Sequence, residues 1–234
     1  MTIDMDTVVG LYFKHADTLR AARQAQAALL AGQPRIRPRL DDAETEISYL
    51  LVRELRPSRV VEIGAEYGWS TTWLLRALCD NGHGTLDTYD TAGHAPQRIP
   101  ASLAEDRWRF HQCDVRQTDD LRPEEIDLLF IDAVHTAPFA RWYRHHLLDR
   151  LRPGTPVAVH DVFHHPVFHH RAGPSREGRI VLDWLAAHGA SHFTVSAAAA
   201  PQEYAELSVA KRLLALDEVV HQPAPNPMLF CTAP

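Results

Sequence analysis

The stretch "VVEIGAEYGWSTTWLL", Val60 to Leu75, brings an acid, two glycines and a hydroxyl close together: Glu62, Gly64, Gly68 and Ser70. β-branched apolar residues precede them and helix-like spacing follows, so a strand enters a glycine turn and a helix leaves it. Such a turn lets a nucleotide-type ligand approach the backbone at a helix N-terminus. A dinucleotide fingerprint needs three close glycines, G-x-G-x-x-G. Here the two glycines lie four apart, the third is absent, and Glu62 stands beside the turn. A carboxylate there repels pyrophosphate and attracts an ammonium group. The next predicted strand, "TLDTYD", ends on Asp90, an acid suited to hydrogen bonds from ribose hydroxyls. An adenosine with a cationic amino-acid tail satisfies both acids, and S-adenosylmethionine is that molecule.

A second group of reactive side chains lies further along. "FIDAVH" carries Asp132 and His135, and "VAVHDV" carries His160 and Asp161. If these segments are neighbouring parallel strands, Asp132 and Asp161 meet beside the cofactor sulfur. Two converging carboxylates repel unless a cation separates them, and oxygen ligands with open water positions suit Mg²⁺. A metal there lowers the pKa of an acceptor hydroxyl and orients it. His135 follows Asp132 by three residues. An imidazole of unperturbed pKa near ~6.5 is poised to take that hydroxyl's proton. The segment "HDVFHHPVFHHRAGP" reads as a substrate-facing loop after the strand rather than a dedicated metal cluster. Trp142, Tyr143, His145 and His146 fall at helical spacing and read as packing and surface residues.

Positioning these groups takes an alternating fold. "HADTLRAARQAQAALLAG" is rich in helix formers and stops at Gly32. "QPRIRPRL" is a proline-broken linker, and "DDAETEISYLLVRELRP" opens on capping acids and ends before Pro57. From Val60 onward strands "RVVEIG", "GTLDTYD", "WRFHQCDV", "IDLLFIDA" and "TPVAVHDV" alternate with helical stretches. Helix "REGRIVLDWLAAHG" and strands "HFTVSA" and "PNPMLFCTA" follow, the last inserting antiparallel at the edge. This order predicts an α/β doubly wound, mostly parallel sheet. Ligands of such sheets sit outside the strands' carboxyl ends, at the switch point.

Together "VVEIGAEYGWSTTWL", "TYD", "CDVRQ", "DLLFIDAVH" and "VAVHDV" resemble, in that order, the motifs of class I S-adenosylmethionine-dependent methyltransferases. The likeness covers roughly residues 40–165. It is closest to the catechol-type metal-dependent O-methyltransferases, and "FIDAVH…HD" and "NPMLF" also resemble the bacterial branch that methylates sugars and other hydroxyls of antibiotics. The resemblance implies a Rossmann-like seven-stranded sheet of order 3-2-1-4-5-7-6 with an N-terminal helical extension. It places Asp90 on the ribose and Asp114 or Val115 near the adenine. It makes Asp132, which also borders the cofactor, and Asp161 metal ligands, and His135 the proton acceptor. His160 stands where the catechol-type enzymes have a further carboxylate. It counts here as a third ligand, and leaves room for Mn²⁺, Zn²⁺, Fe²⁺ or no metal in place of Mg²⁺.

The whole chain bounds these readings. At 234 residues it is long enough for one domain with a full core. Residues 41–234 are read as the methyltransferase domain, and residues 1–40 as a helical lid or a homodimer interface. Net charge is −6 and no basic run is present, so nucleic acid is not an expected partner. Cys79, Cys113 and Cys231 are scattered and form no CxxC, as in a reducing compartment. No signal pattern and no ~20-residue apolar run appears, so the expected location is the cytoplasm, without a membrane partner. The expected partner is a small-molecule acceptor. Two other readings keep the fold. One is a metal-dependent hydroxylase-like relative that uses His160, Asp161 and nearby histidines. The other is a non-catalytic adenosine-binding scaffold.

Overall fold

The computed structural model describes residues 1–164, 173–221 and 227–234. Five parallel strands form its centre: β1 (Arg59–Ile63), β2 (Thr85–Asp90), β3 (Trp108–Gln112), β4 (Leu128–Ile131) and β5 (Pro156–Val159). Two strands of a small hairpin, β6 (Phe163–His164) and β7 (Gly173–Pro174), stand apart from this sheet. β8 (His192–Phe193) and β9 (Leu229–Thr232) complete it, β9 running antiparallel between β5 and β8. The sheet order β3-β2-β1-β4-β5-β9-β8 is the expected 3-2-1-4-5-7-6 once the hairpin strands are left out of the count. The predicted strand "HFTVSA" is shorter than expected. It stops at Phe193, and Ser196 bridges to Ala200 in a tight turn instead. The histidines of the 165–170 stretch lie outside the described residues.

Alternation explains how the sheet is buried on both faces. Val60, Leu128 and Phe130 belong to one core cluster, and Val61, Ile63, Leu129 and Ile131 to the other. Successive side chains of a strand point to opposite faces, so a strand covered on both sides reads as a nearly continuous apolar run. Helices α1 (Met5–Lys14), α2 (Ala16–Gly32), α3 (Asp42–Leu55), α4 (Trp69–Asn81) and α5 (Ala101–Ala104) precede β3 in the chain. Most of their buried residues join the first cluster. Helices α6 (Ala137–His146) and α7 (Arg176–Ala187) supply the second, and α8 (Pro201–Leu213) lies beside α1.

α3 starts where the capping acids predicted. The Asp41 side chain accepts from the Glu44 amide at 2.9 Å, and Glu44 accepts from the Asp41 amide at 2.8 Å. Within the N-terminal segment Val8, Leu11, Tyr12 and Leu19 are buried in the same core as α3 and α4. Tyr12 donates to Glu46 at 2.7 Å, while Phe13 stays half exposed. The loop after α2 carries Pro38 and Arg39 to the cavity described below. Among the described residues no helix is long and apolar enough to cross a membrane.

Candidate active site

The glycine turn is built by two close approaches. Gly64 has φ +88° at the end of β1, and a Cβ there would lie 1.9 Å from the Asp132 carbonyl oxygen. Gly68 has φ +89° and is the N-cap of α4. Only a residue without a side chain takes both the left-handed conformation and the contact at low cost. Asp90 ties the turn to β2. One of its oxygens accepts from the amides of Ala65 and Glu66, each at 2.8 Å, and the other from Ala92 at 2.7 Å.

A cavity of about 570 Å³ opens along the carboxyl ends of β1 to β5. Asp90 and Gly64 border one part of it, and Asp114 and Val115 another. Asp132, His135, His160 and Asp161 border it as well. Its position is the switch-point crevice expected for this sheet, and its size lies in the range of about 300–1,000 Å³ usual for small-ligand sites. Val115 is buried in the wall. The Asp114 carboxylate pairs with Arg116, and that guanidinium holds it below the usual carboxylate range despite some burial.

Glu62 and Ser70 sit elsewhere than expected. Neither borders the cavity. Glu62 is fully buried and accepts from Ser70 at 2.6 Å, Thr71 at 2.8 Å and Thr88 at 2.8 Å. As an even neighbour of Val60 on the strand, its side chain points into the core face under α4 rather than at the ligand. Gly68 likewise serves the helix start and stands off the cavity wall. Burial raises the Glu62 pKa to about 7, against the pull of the three hydroxyls. A raised acid favours the fold while protonated. Its contribution is therefore full below the ordinary carboxyl range and lost as pH rises through about 7. Glu62→Gln, permanently neutral, should gain stability relative to the parent by about 2–3 kcal/mol between pH 5 and pH 8. Urea midpoints of both proteins at the two pH values measure this. A difference independent of pH would show that Glu62 ionises as a solvated carboxylate does.

The reactive cluster forms because β4 and β5 are parallel neighbours with Ile131 opposite Val159. Their next residues then meet. His160 Nδ1 lies 3.0 Å from Asp132 Oδ1 and 3.7 Å from Asp161 Oδ1. His135 Nε2 lies 3.0 Å from Asp161 Oδ2 and 3.5 Å from Asp132 Oδ1. Asp161 holds φ +56°, a strained conformation for a residue with a side chain, and such strain collects at functional sites. Asp132, His135 and His160 each offer a donor atom close enough to share one metal ion.

Two partners of this cluster carry no signal in the sequence. Glu177, on α7, is buried, and its Oε2 lies 3.0 Å from His135 Nδ1. Tyr143, on α6, donates its hydroxyl to the other Glu177 oxygen at 2.9 Å. The sequence reading treated Tyr143 as packing only. It is packed, and it also fixes that carboxylate. On the opposite side buried Glu44 faces His160 Nε2 at 3.7 Å.

Charge follows from this geometry. Burial alone would raise the Asp132 pKa, but the His160 charge and the His135 hydrogen bond outweigh it and lower it well below the usual carboxylate range. Burial would lower His160, yet the Asp132 and Glu44 carboxylates hold it well above the imidazole range. For His135 burial is likewise outweighed by hydrogen bonds to Asp132 and Glu177, and its pKa rises to about 10. The surrounding carboxylates thus hold both imidazoles above the ordinary imidazole range. That departs from the expectation of His135 titrating near neutrality, because carboxylates surround it.

Seven strands in this order, with a glycine turn after β1 and reactive residues at the ends of β4 and β5, define the class I methyltransferase architecture. Residues 61–162 match the family model described as "Methyltransferase domain". Over these residues the chain is similar to that family, in keeping with the sequence resemblance. Solved structures share the fold. An O-methyltransferase from Bacillus cereus in complex with SAH is 18% identical with a TM-score of 0.55, covering 99% of this chain and 100% of that one. The O-methyltransferase TomG from Streptomyces achromogenes, involved in tomaymycin synthesis and solved with SAM, is 17% identical. Its TM-score is 0.55, over 91% of this chain and 89% of that one. A methyltransferase from Geobacter sulfurreducens is 16% identical with a TM-score of 0.52, over 100% and 98%. Among curated proteins, none matches.

Proposed function

We propose that the protein transfers the methyl group of S-adenosylmethionine to a hydroxyl of a small molecule. The observation that carries this reading is one continuous cavity. It joins Asp90, at the end of β2, to the cluster of Asp132, His135, His160 and Asp161. Asp90 holds the ribose, Val115 packs against the adenine, and Asp114 borders its edge. S-adenosylmethionine bound this way would supply its methyl group beside the cluster, where Asp132, His135, His160 and Asp161 border the space left for the acceptor. Holding two reactants at attack distance supplies much of the rate of such a displacement. The oxygen–carbon bond forms as the carbon–sulfur bond breaks, and the hydroxyl proton passes to Asp161, a part-exposed carboxylate of the cluster.

The donor set fits a divalent cation. Neighbouring ligand atoms lie about 3.0–3.5 Å apart around an ion with bonds of ~2.1 Å. His160 to Asp132 at 3.0 Å and His135 to Asp132 at 3.5 Å have that spacing. Asp132 and His160, with Asp161 or His135 completing the set, would hold the ion, and when bound it would make the acceptor hydroxyl more acidic. A role in specialised metabolism finds support in the likeness to TomG, and a cytoplasmic location agrees with the reduced-cysteine reading.

The test is a mass-spectrometric screen for a 14-dalton gain on candidate hydroxylated metabolites, with and without EDTA. Transfer that stops in EDTA and returns with metal is the expected result. Failure to bind S-adenosylmethionine by calorimetry would overturn the reading. A second reading, a metal-dependent hydroxylase on the same fold, draws on the pairing of two imidazoles with one carboxylate, a set that non-haem iron oxygenases use. Oxygen uptake in place of S-adenosylhomocysteine release would favour it.

A further inference from the structure

We propose that His135 is a metal ligand, so that the cluster is a nitrogen-rich site for a transition ion such as Mn²⁺, Fe²⁺, Co²⁺ or Zn²⁺ and not for Mg²⁺. Its ligands are His135 Nε2, His160 Nδ1 and an Asp132 oxygen, with Asp161 alongside. The location beside the cofactor's methyl group rests on the proposed methyl transfer, while the binding itself does not.

Three observations carry this. The three side chains each present a donor atom within 4.8 Å of the others, drawn from the ends of β4 and β5 and the loop after β4. Both imidazoles also face a buried carboxylate with the ring nitrogen turned away from the cluster. His135 Nδ1 meets Glu177 within hydrogen-bond distance at 3.0 Å, whereas His160 Nε2 faces Glu44 at 3.7 Å, too far for a direct hydrogen bond. A metal-ligating histidine almost always gives its far N–H to such a group, which fixes the tautomer and aims the other lone pair at the ion. Finally, Glu177 is itself held. It is buried and takes the Tyr143 hydroxyl at 2.9 Å on its second oxygen. A salt bridge on a protein surface needs no such backing, and Mg²⁺ prefers oxygen ligands and retained water. Imidazoles suit Mn²⁺, Fe²⁺, Co²⁺ and Zn²⁺.

The experiment uses the full chain stripped of metal and each metal ion alone. Competition against a chromogenic chelator should show Co²⁺ and Zn²⁺ binding at least 100-fold more tightly than Mg²⁺. Pulsed electron paramagnetic resonance of the Mn²⁺ form should show two imidazole nitrogens, and one in each of His135→Ala and His160→Ala. His160→Asp, which restores an oxygen donor, should narrow the Co²⁺ preference over Mg²⁺ by at least tenfold. Glu177→Gln should weaken Co²⁺ binding by about 10–100-fold. Circular dichroism melts confirm that each variant is folded, and the His160→Asp selectivity shift keeps the proposal testable if an alanine variant is not. A parent protein with fewer than two imidazole nitrogens, equal affinity for Mg²⁺ and Co²⁺, or an unchanged His135→Ala would each overturn it. So would loss of both nitrogen signals on changing His164, His165, His169 and His170 to Gln, which would place the ion on that loop. Metal binding as expected in a protein that fails to bind S-adenosylmethionine would sink the methyl-transfer reading and leave this one standing.

Discussion

Gly64→Ala is expected to abolish detectable S-adenosylmethionine binding and to lower stability by about 3–5 kcal/mol. The added Cβ meets the Asp132 carbonyl oxygen at 1.9 Å and its carbon at 2.6 Å, which are backbone atoms with nowhere to move. The glycine also sits at φ +88°, where a side chain adds strain of its own. Relief requires the ends of β1 and β4 to separate, and that moves Asp132 away from His160 and widens the turn that cradles the ligand. Urea denaturation gives the stability change and calorimetry the affinity. Gly10→Ala is the control, because nothing lies within 4 Å of its Cβ and it sits inside α1. There the exchange should stabilise by about 0.5–1 kcal/mol. A Gly64→Ala protein as stable as the parent and with unchanged affinity would mean that the β1–β4 contact does not shape the site.

The second large effect is expected at Asp90. Affinity for S-adenosylmethionine in the low micromolar range corresponds to about −8 kcal/mol. Asp90→Ala should weaken it by about 1.5–3 kcal/mol, the range for a hydrogen bond to a charged group. The same change strips the partner from the Ala65, Glu66 and Ala92 amides, so the turn itself loosens. Two measurements separate these roles. If the carboxylate holds the ribose, a 2′-deoxyribose analogue should bind the parent more weakly than S-adenosylhomocysteine does, and that difference should vanish in Asp90→Ala. Equal discrimination in both proteins would confine Asp90 to bracing the turn.

Much of this was legible from residue types and spacing. β-branched runs closed by glycine or acid gave the strands. The capping acids at Asp41 and Asp42 gave the start of α3, and the strand–helix alternation gave the parallel sheet. Once parallel neighbours are granted, "FIDAVH" and "VAVHDV" must bring Asp132 and His135 up to His160 and Asp161. A parallel sheet aligns its carboxyl ends, and the register of β4 on β5 carries that through.

The sequence by itself therefore determined the order of the elements, the edge on which the site lies, and that Asp132, His135, His160 and Asp161 meet there. The environment of those residues was decided by the tertiary structure alone. The direction of Glu62 depends on which face α4 covers. The partners of His135 come from 42 residues away on α7 and, through Glu177, from α6. Helical spacing marked Tyr143 as buried, but it could not show what its hydroxyl would meet. The pKa of His135 follows from carboxylates that α7, the end of β4 and the end of β5 bring together. Periodicity is a local property of a chain, set by the geometry of one strand or helix. Desolvation and charge pairing depend on atoms that are distant in sequence and adjacent only after the layers have packed.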